Sequence, residues 1–387
     1  MKIAMIGGRD IDSVGGIEYW MKHLSRHLAS RGHEVTVYCE SDRDAVRYED
    51  EVKVVSVKAP RNRYLCKIFA SWRATRMAMD FGVDLIHYNV WPAFIWHFLA
   101  ERKGIVTILM GHGFEWKRSK YNVFQRWILR LCEACAARSA RHIVLCSQEQ
   151  TDWYVRRYGC EGKAATIPSA VELPRAASWD LGSACASTLL YMGRISPEKN
   201  VDLLIRAFAR ARASAPPATA ASPRLLLAGS LDASSAYGRR ILSLVENTEG
   251  VTYLGEVFGE EKEHLLCEAI LFCLPSSVEG LPVALLEAAA RRIPIVASDI
   301  PSNREALGDA ACWVVPGDEA SLGQMLQACF EALSACDGFV QDADTDSAPL
   351  VLRRRLAENA EEAHRRVAEG FTWERSTALY DAYIRSL

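Results

Sequence analysis

The sequence predicts an α/β protein made of two separate domains, each a parallel sheet wrapped by helices. Three observations carry this. Short β-rich runs alternate with amphipathic stretches along nearly the whole chain. The 387 residues are too many for one ordinary core and suit two domains of about 150–200 residues each. Charge divides as well: up to residue 170 there are 26 Lys and Arg against 18 Asp and Glu, and beyond it 20 against 30. A basic first half suits an anionic partner, either phosphate or an acidic membrane surface, or is simply a solvated face.

Residues 2–6 read as the first strand, 7–16 as a glycine-containing loop, 17–31 as a helix and 34–39 as the second strand. Arg31-Gly32-His33 gives that helix a basic last turn and then the glycine that C-caps favour. Further strands are expected at 52–57, 85–88, 106–110 and 142–146. The pattern then breaks over a Pro-, Ser- and Ala-containing stretch without a period. This marks residues 171–187 as a linker between a first domain, 1–170, and a second, 188–371, with a closing helix at 372–387 expected to pack back onto the first. In the second domain strands are expected at 188–192, 224–228, 251–254, 270–274 and 293–297, and a helix at 200–213. The Ala/Pro-rich 214–222 and the acidic 337–349 read as surface insertions.

The twelve cysteines are scattered. Cys132 and Cys135 alone make a C-x-x-C pair, on a helical stretch with no second pair at zinc spacing, so they read as core or interface residues. Scattered thiols fit a reducing cytoplasm. No signal peptide is read at the start, and the longest apolar stretch, around 90–100, holds His97 and falls short of the roughly 20 residues a membrane span needs.

The chemistry concentrates in two strand–loop–helix segments. Pro275-Ser276-Ser277-Val278-Glu279-Gly280-Leu281-Pro282 follows a buried strand and leads into a helix expected to hold Pro282 in its first turn. Free N–H groups at such a helix start bind phosphate, and carboxylates at Glu279 and, two turns on, Glu287 can grip flanking sugar hydroxyls. Alone, the pair reads equally as a capping acid and a solvated helix residue. Tyr191-Met192-Gly193-Arg194-Ile195-Ser196-Pro197-Glu198-Lys199-Asn200 repeats the layout and adds two cations. Gly193 permits a sharp turn, so Arg194 and Lys199 can converge on a diphosphate.

Together these segments resemble the donor site of retaining glycosyltransferases of family 4, with Glu279 and Glu287 at the spacing of that family's Glu-x7-Glu signature. The resemblance runs over nearly the whole chain, through Gly15-Gly16-Ile17-Glu18, Arg31-Gly32-His33-Glu34-Val35 and the closing Phe371-Thr372-Trp373. It implies the GT-B fold, two Rossmann-like domains facing across a donor/acceptor cleft. It implies a nucleotide-diphosphate sugar as donor, with Arg194 and Lys199 stabilising the leaving diphosphate. Glu279 would hold the transferred sugar, Gly280 and Leu281 amides would lie near the phosphates, and Glu287 would hold the ribose. Gly15 and Gly16 would bring the first helix N-terminus to the donor, His112 would face the transferred sugar, and the base would pack near Val257. No metal-binding acid motif stands where it could bridge a diphosphate, so no divalent metal and no other cofactor is expected. The family retains anomeric configuration, by front-face attack in which the departing phosphate helps to deprotonate the acceptor.

The acceptor is expected on the first domain, as a glycan or lipid-linked saccharide of bacterial polysaccharide or glycoconjugate synthesis. Two stretches there, 61–79 and 116–141, mix Arg and Lys with aromatic and aliphatic residues at helical spacing. They read either as amphipathic helices covering the sheet or as a docking surface for an anionic membrane. The expected location is cytoplasmic, peripheral on the cytoplasmic face, with no nucleic-acid partner. Rival readings are a nicotinamide dehydrogenase, which the missing G-x-G-x-x-G argues against, a sugar-nucleotide epimerase on the same fold, and a non-catalytic nucleotide-sugar binding subunit.

Overall fold

The computed structural model describes residues 1–387 except 13, 14, 61, 63, 64, 118–120, 175–187, 215–221 and 335–346. Most of the expected linker and of both expected insertions therefore lies outside the described residues, as do three residues of the basic run after Trp116 and three at the start of the 61–79 stretch. The chain forms two compact units, Met1–Ala170 with Phe371–Leu387, and Val171–Gly370.

The first unit holds β1 (Lys2–Gly8), β2 (Glu34–Ser41), β3 (Ala45–Glu49), β4 (Val52–Lys58), β5 (Leu85–Tyr88), β6 (Val106–Gly111), β7 (His142–Leu145) and β8 (Ala164–Thr166). They form one sheet in the order β3-β4-β2-β1-β5-β6-β7-β8, parallel throughout except where β3 runs against β4. The central strands are buried on both faces, which is why they read as apolar runs rather than alternating ones. Helix Gly16–Ala29 turns Trp20, Met21, Leu24 and Leu28 inward at helical spacing. The last helix, Trp373–Arg385, packs on Gly16–Ala29. There His33 Nε2 meets Asp381 Oδ1 at 2.8 Å, and Ser376 Oγ donates to Pro168 O at 2.8 Å.

The second unit holds β9 (Thr188–Met192), β10 (Arg224–Ala228), β11 (Val251–Gly255), β12 (Leu271–Leu274), β13 (Ile295–Ser298) and β14 (Cys312–Val314), all parallel, in the order β11-β10-β9-β12-β13-β14. In both sheets the order reverses at one place: the chain leaves β1 toward β2 on one side and β5 on the other, and leaves β9 toward β10 and later β12. Such a reversal opens a crevice at the carboxyl ends of the two central strands, where α/β sheets bind ligands.

Candidate active site

Both candidate donor segments begin at that reversal in the second unit. The loop after β9 carries Gly193–Asn200 and the loop after β12 carries Pro275–Pro282, and the two strands are direct neighbours through Leu271↔Leu189 and Phe272↔Leu190. The loops are also tied to each other. Asn200 takes a left-handed backbone (φ 54°), which asparagine tolerates better than most residues. Its side-chain amide then donates to Pro275 O at 2.9 Å and Ser277 Oγ at 2.7 Å, while Ser277 N donates to Glu198 O at 2.9 Å.

Gly193 is required where it stands. Its φ is 149°, its N–H donates to Ala228 O at 2.9 Å, and its carbonyl comes so close to Gly229 that a Cβ there would lie 1.9 Å from it. Two strand-end turns thus pass in backbone contact, which no side chain would permit. Beneath them Tyr191, fully buried, donates its hydroxyl to Arg194 O at 2.8 Å and fixes the turn's exit.

This framework brings Lys199 and Glu279 together: Nζ lies 2.5 Å from Oε1, with the two side chains only 13% and 9% exposed. A charge pair so withdrawn from water holds because each partner neutralises the other. Glu287 is treated differently. The helix runs Val283–Ala290 with Pro282 as its N-cap, so Glu287 stands just over one turn in rather than two, and Pro282 precedes the first turn instead of occupying it. Glu287 is buried, not solvated, and Lys262 Nζ of the neighbouring helix Gly259–Glu268 reaches its Oε1 at 2.5 Å. Arg291, itself buried, donates to the Glu287 carbonyl at 2.9 Å and pairs with Glu263. Arg194 is exposed, and among the described residues no salt bridge joins it to Glu279 or Glu287. Leu281 and Val257 are buried, Gly280 is half-buried, and Val257 follows β11 at the same carboxyl edge of the sheet.

In the first unit one expected residue, His112, lies among aromatic rings. His112 follows β6, and the Trp20 ring lies 5.2 Å from it, centroid to centroid, and 5.3 Å from His87 in β5. Tyr380 of the last helix closes the group at 6.0 Å from Trp20 and 5.4 Å from His87. Burial pushes the His87 pKa down to about 3, the neighbouring charge of His112 adding to it and the Asn89 side chain opposing it. At the start of helix Gly16–Ala29 the two glycines differ. A Cβ on Gly15 would strike the Glu18 carboxylate at 2.1 Å, whereas one on Gly16 would meet nothing within 4 Å among the described residues. A side chain at Gly15 would push aside the Glu18 carboxylate, whose Oε1 accepts from Arg9 Nε at 3.2 Å, whereas Gly16 leaves the helix end open. Cys132 and Cys135 are exposed, so they are not core residues.

Sequence reasoning missed Asn200, Lys262, Trp20, His87 and Tyr380. Asn200 had a signal, an asparagine between a cation and an apolar helical run. Lys262 sits in Glu260-Glu261-Lys262-Glu263, which reads as surface charge. The three aromatic residues lie in different parts of the chain and carry no motif.

Two linked loops at the reversal point of a parallel sheet, with Lys199 paired to Glu279 and Lys262 to Glu287, are the layout in which α/β enzymes hold nucleotides. Over 100% of this chain and 98% of the other, the structure is similar to sucrose-phosphate synthase from Thermosynechococcus elongatus, with a TM-score of 0.80 at 19% identity. It is also similar to the Anabaena protein HepE in complex with UDP and glucose, with a TM-score of 0.73 at 16% identity over 100% of both chains. The fold is thus the GT-B type. Among characterised relatives, the phosphatidyl-myo-inositol mannosyltransferase of Mycobacterium leprae is 25% identical over 85% of this chain and 87% of its own. The O-antigen chain mannosyltransferase RfbU of Salmonella typhimurium is 29% identical over a shorter stretch, 35% of this chain and 39% of that protein. The Glycosyltransferase Family 4 model matches residues 14–175 and the Glycosyl transferases group 1 model matches residues 186–332. The chain belongs to this family: it is a retaining, nucleotide-sugar-dependent glycosyltransferase.

Proposed function

We propose that this chain transfers a hexose from a nucleoside-diphosphate sugar to a lipid-linked or glycan acceptor, without a divalent metal, at the cytoplasmic face of a membrane. The observation that carries the donor end is the Lys199–Glu279 pair, held between two loops at the β9/β12 reversal. Lys199 is a cation already in place where a diphosphate would lie, and Glu279 is the partner it exchanges for phosphate oxygens. Freed from Lys199, the Glu279 carboxylate accepts hydroxyls of the transferred sugar. Arg194, exposed at the same loop, adds a second cation as charge builds on the leaving group. Gly280 and Leu281 lead into helix Val283–Ala290, whose free N–H groups suit phosphate oxygens. Glu287, held by Lys262, suits the ribose hydroxyls, and Val257 suits the base. Gly15, Gly16 and His112 are assigned to the donor through the family resemblance. Relatives named as acting on phosphatidyl-myo-inositol and O-antigen chains support an acceptor of that chemistry, and HepE, with UDP and glucose bound, supports a uridine nucleotide donor.

A thermal-shift panel of UDP- and GDP-hexoses tests this. The matching donor, at 100 times its dissociation constant, is expected to stabilise the chain by about 2.7 kcal/mol. With that donor, Lys199→Met is expected to lower transfer about 10²–10³-fold, as loss of one charge-stabilising donor does, and chelator to leave the rate unchanged. Full activity in Lys199→Met would overturn the site, and loss of activity in chelator would overturn the metal-free reading.

A further inference from the structure

Helix Val123–Ser139 of the first unit is the most unusual surface among the described residues. Asn122 caps it through a capping box, its side chain accepting from Gln125 N at 2.9 Å while the Gln125 side chain accepts from Asn122 N at 3.1 Å. The helix is therefore firmly started, yet its outer stripe is apolar. Val123, Phe124 and Trp127 are 83%, 68% and 60% exposed, and Ile128 and Leu131 continue the stripe with a spacing of three and four residues. Exposed aromatic and aliphatic side chains so contiguous mark a surface that meets something.

Charge indicates what it meets. Between residues 116 and 141 there are seven Lys and Arg and one acid, Glu133. Glu133 is buried on the inner face, where it accepts from Tyr158 Oη at 2.9 Å, and burial raises its pKa. Among the described residues, the charges left on the outside of this helix are those of Arg126, Arg130 and Arg138. Among the described residues no salt bridge engages Arg126, Arg130 or Arg138, although Arg130 stacks 3.9 Å over the inward Trp116 ring. Helix Leu65–Phe81, in the other amphipathic stretch, differs: its Lys67 and Arg73 are matched by Glu40 at 3.7 Å and Asp44 at 2.9 Å. A second copy of the chain on the apolar stripe would bring one set of these arginines near another. Anionic headgroups would neutralise them while acyl chains took up the aromatic rings.

We propose that the outer face of helix Val123–Ser139 lies in the interfacial layer of an anionic bilayer, Phe124 and Trp127 inserted and Arg126, Arg130 and Arg138 at headgroup level. The inference rests on the lipid-side acceptor reading and assigns it to one helix rather than to the basic half in general. Inserted, the face would hold the first unit at the depth where a lipid-linked acceptor presents its saccharide.

Flotation of the full chain with vesicles tests it, using phosphatidylcholine alone and phosphatidylcholine mixed with phosphatidylglycerol. The chain is expected to float with the mixed vesicles at low salt, and the Phe124→Ser/Trp127→Ser variant to partition about tenfold less. Arg138→Glu is expected to weaken binding and to flatten its salt dependence. Phe69→Ser, on helix Leu65–Phe81, is expected to float like the parent chain. Nucleotide-sugar stabilisation of each variant confirms that it is folded. Parent chain that floats equally with and without the Phe124/Trp127 change overturns the helix assignment and leaves the membrane reading standing. Parent chain that does not float at low salt overturns both. A dimer in solution that the double variant converts to monomer, with flotation unchanged, replaces the bilayer by a second copy.

Discussion

The two units organise their candidate site residues by opposite means. In the second, charged side chains are held by each other: Lys199 by Glu279 and Lys262 by Glu287, each at 2.5 Å, on loops and helices that neighbouring strands bring together. In the first, rings carry the packing: Trp20 lies against both His112 and His87, and Tyr380 lies against Trp20 and His87. The contrast teaches what each site can exchange. An ion pair trades one partner for a charged ligand at little geometric cost, so it suits a diphosphate that arrives and leaves. A packed ring cluster trades nothing, so it suits a group that must keep one orientation through each turnover.

The largest effect expected from this contrast is on stability. Trp20→Ala should cost about 3–5 kcal/mol in chemical unfolding, as buried tryptophans do, independently of salt. A cost under about 1 kcal/mol would mean that the rings do not hold the first unit together, and the comparison would break. The next effect is one of pH. Burial lowers the His87 pKa from its ordinary 6.5 to about 3. Between those values the unfolded chain binds more protons than the folded one, so stability falls as pH is lowered from 6.5, by about 2 kcal/mol at pH 5. His87→Phe keeps a ring in place and should remove that part of the slope. An equal loss of stability from pH 7.5 to pH 5 in both proteins, read by urea unfolding, would show that His87 is hydrated after all. The smallest effect falls on the ion-paired side. Lys262→Met should raise the donor dissociation constant about tenfold, roughly 1.4 kcal/mol, through the unanchored Glu287, with little change in kcat. A kcat loss equal to the affinity loss would place Lys262 on the reacting phosphates instead.

The same contrast explains what the sequence made legible. The candidate donor residues lie in two strand–loop–helix segments, each announced by a buried apolar run, a glycine or proline and a helical start, so local spacing together with the family resemblance brought Arg194, Lys199, Glu279 and Glu287 forward. The fold class followed from runs such as Leu271–Leu274, buried on every residue. Strands β3, β8 and β14 were not legible. Ala-Val-Arg-Tyr-Glu in β3 is an exposed edge held by its pairing with β4, and the other two are three residues long, shorter than any period can reveal. Nor could the ring cluster be read. Trp20, His87, His112 and Tyr380 are adjacent only because β1, β5 and β6 are neighbours and the last helix returns to them. Burial of Glu287 was hidden for a related reason, since the cation that makes it tolerable comes from another helix.

The return of residues 371–387 to the first unit has a consequence in time. Tyr380, one of the rings around His87, is synthesised after the whole of the second unit. While the chain is being made, the second unit can close around its own sheet as soon as residue 370 emerges, but the first unit must wait, with Trp20 and His87 lacking their last neighbour. The half of the molecule that begins first is the half that finishes last.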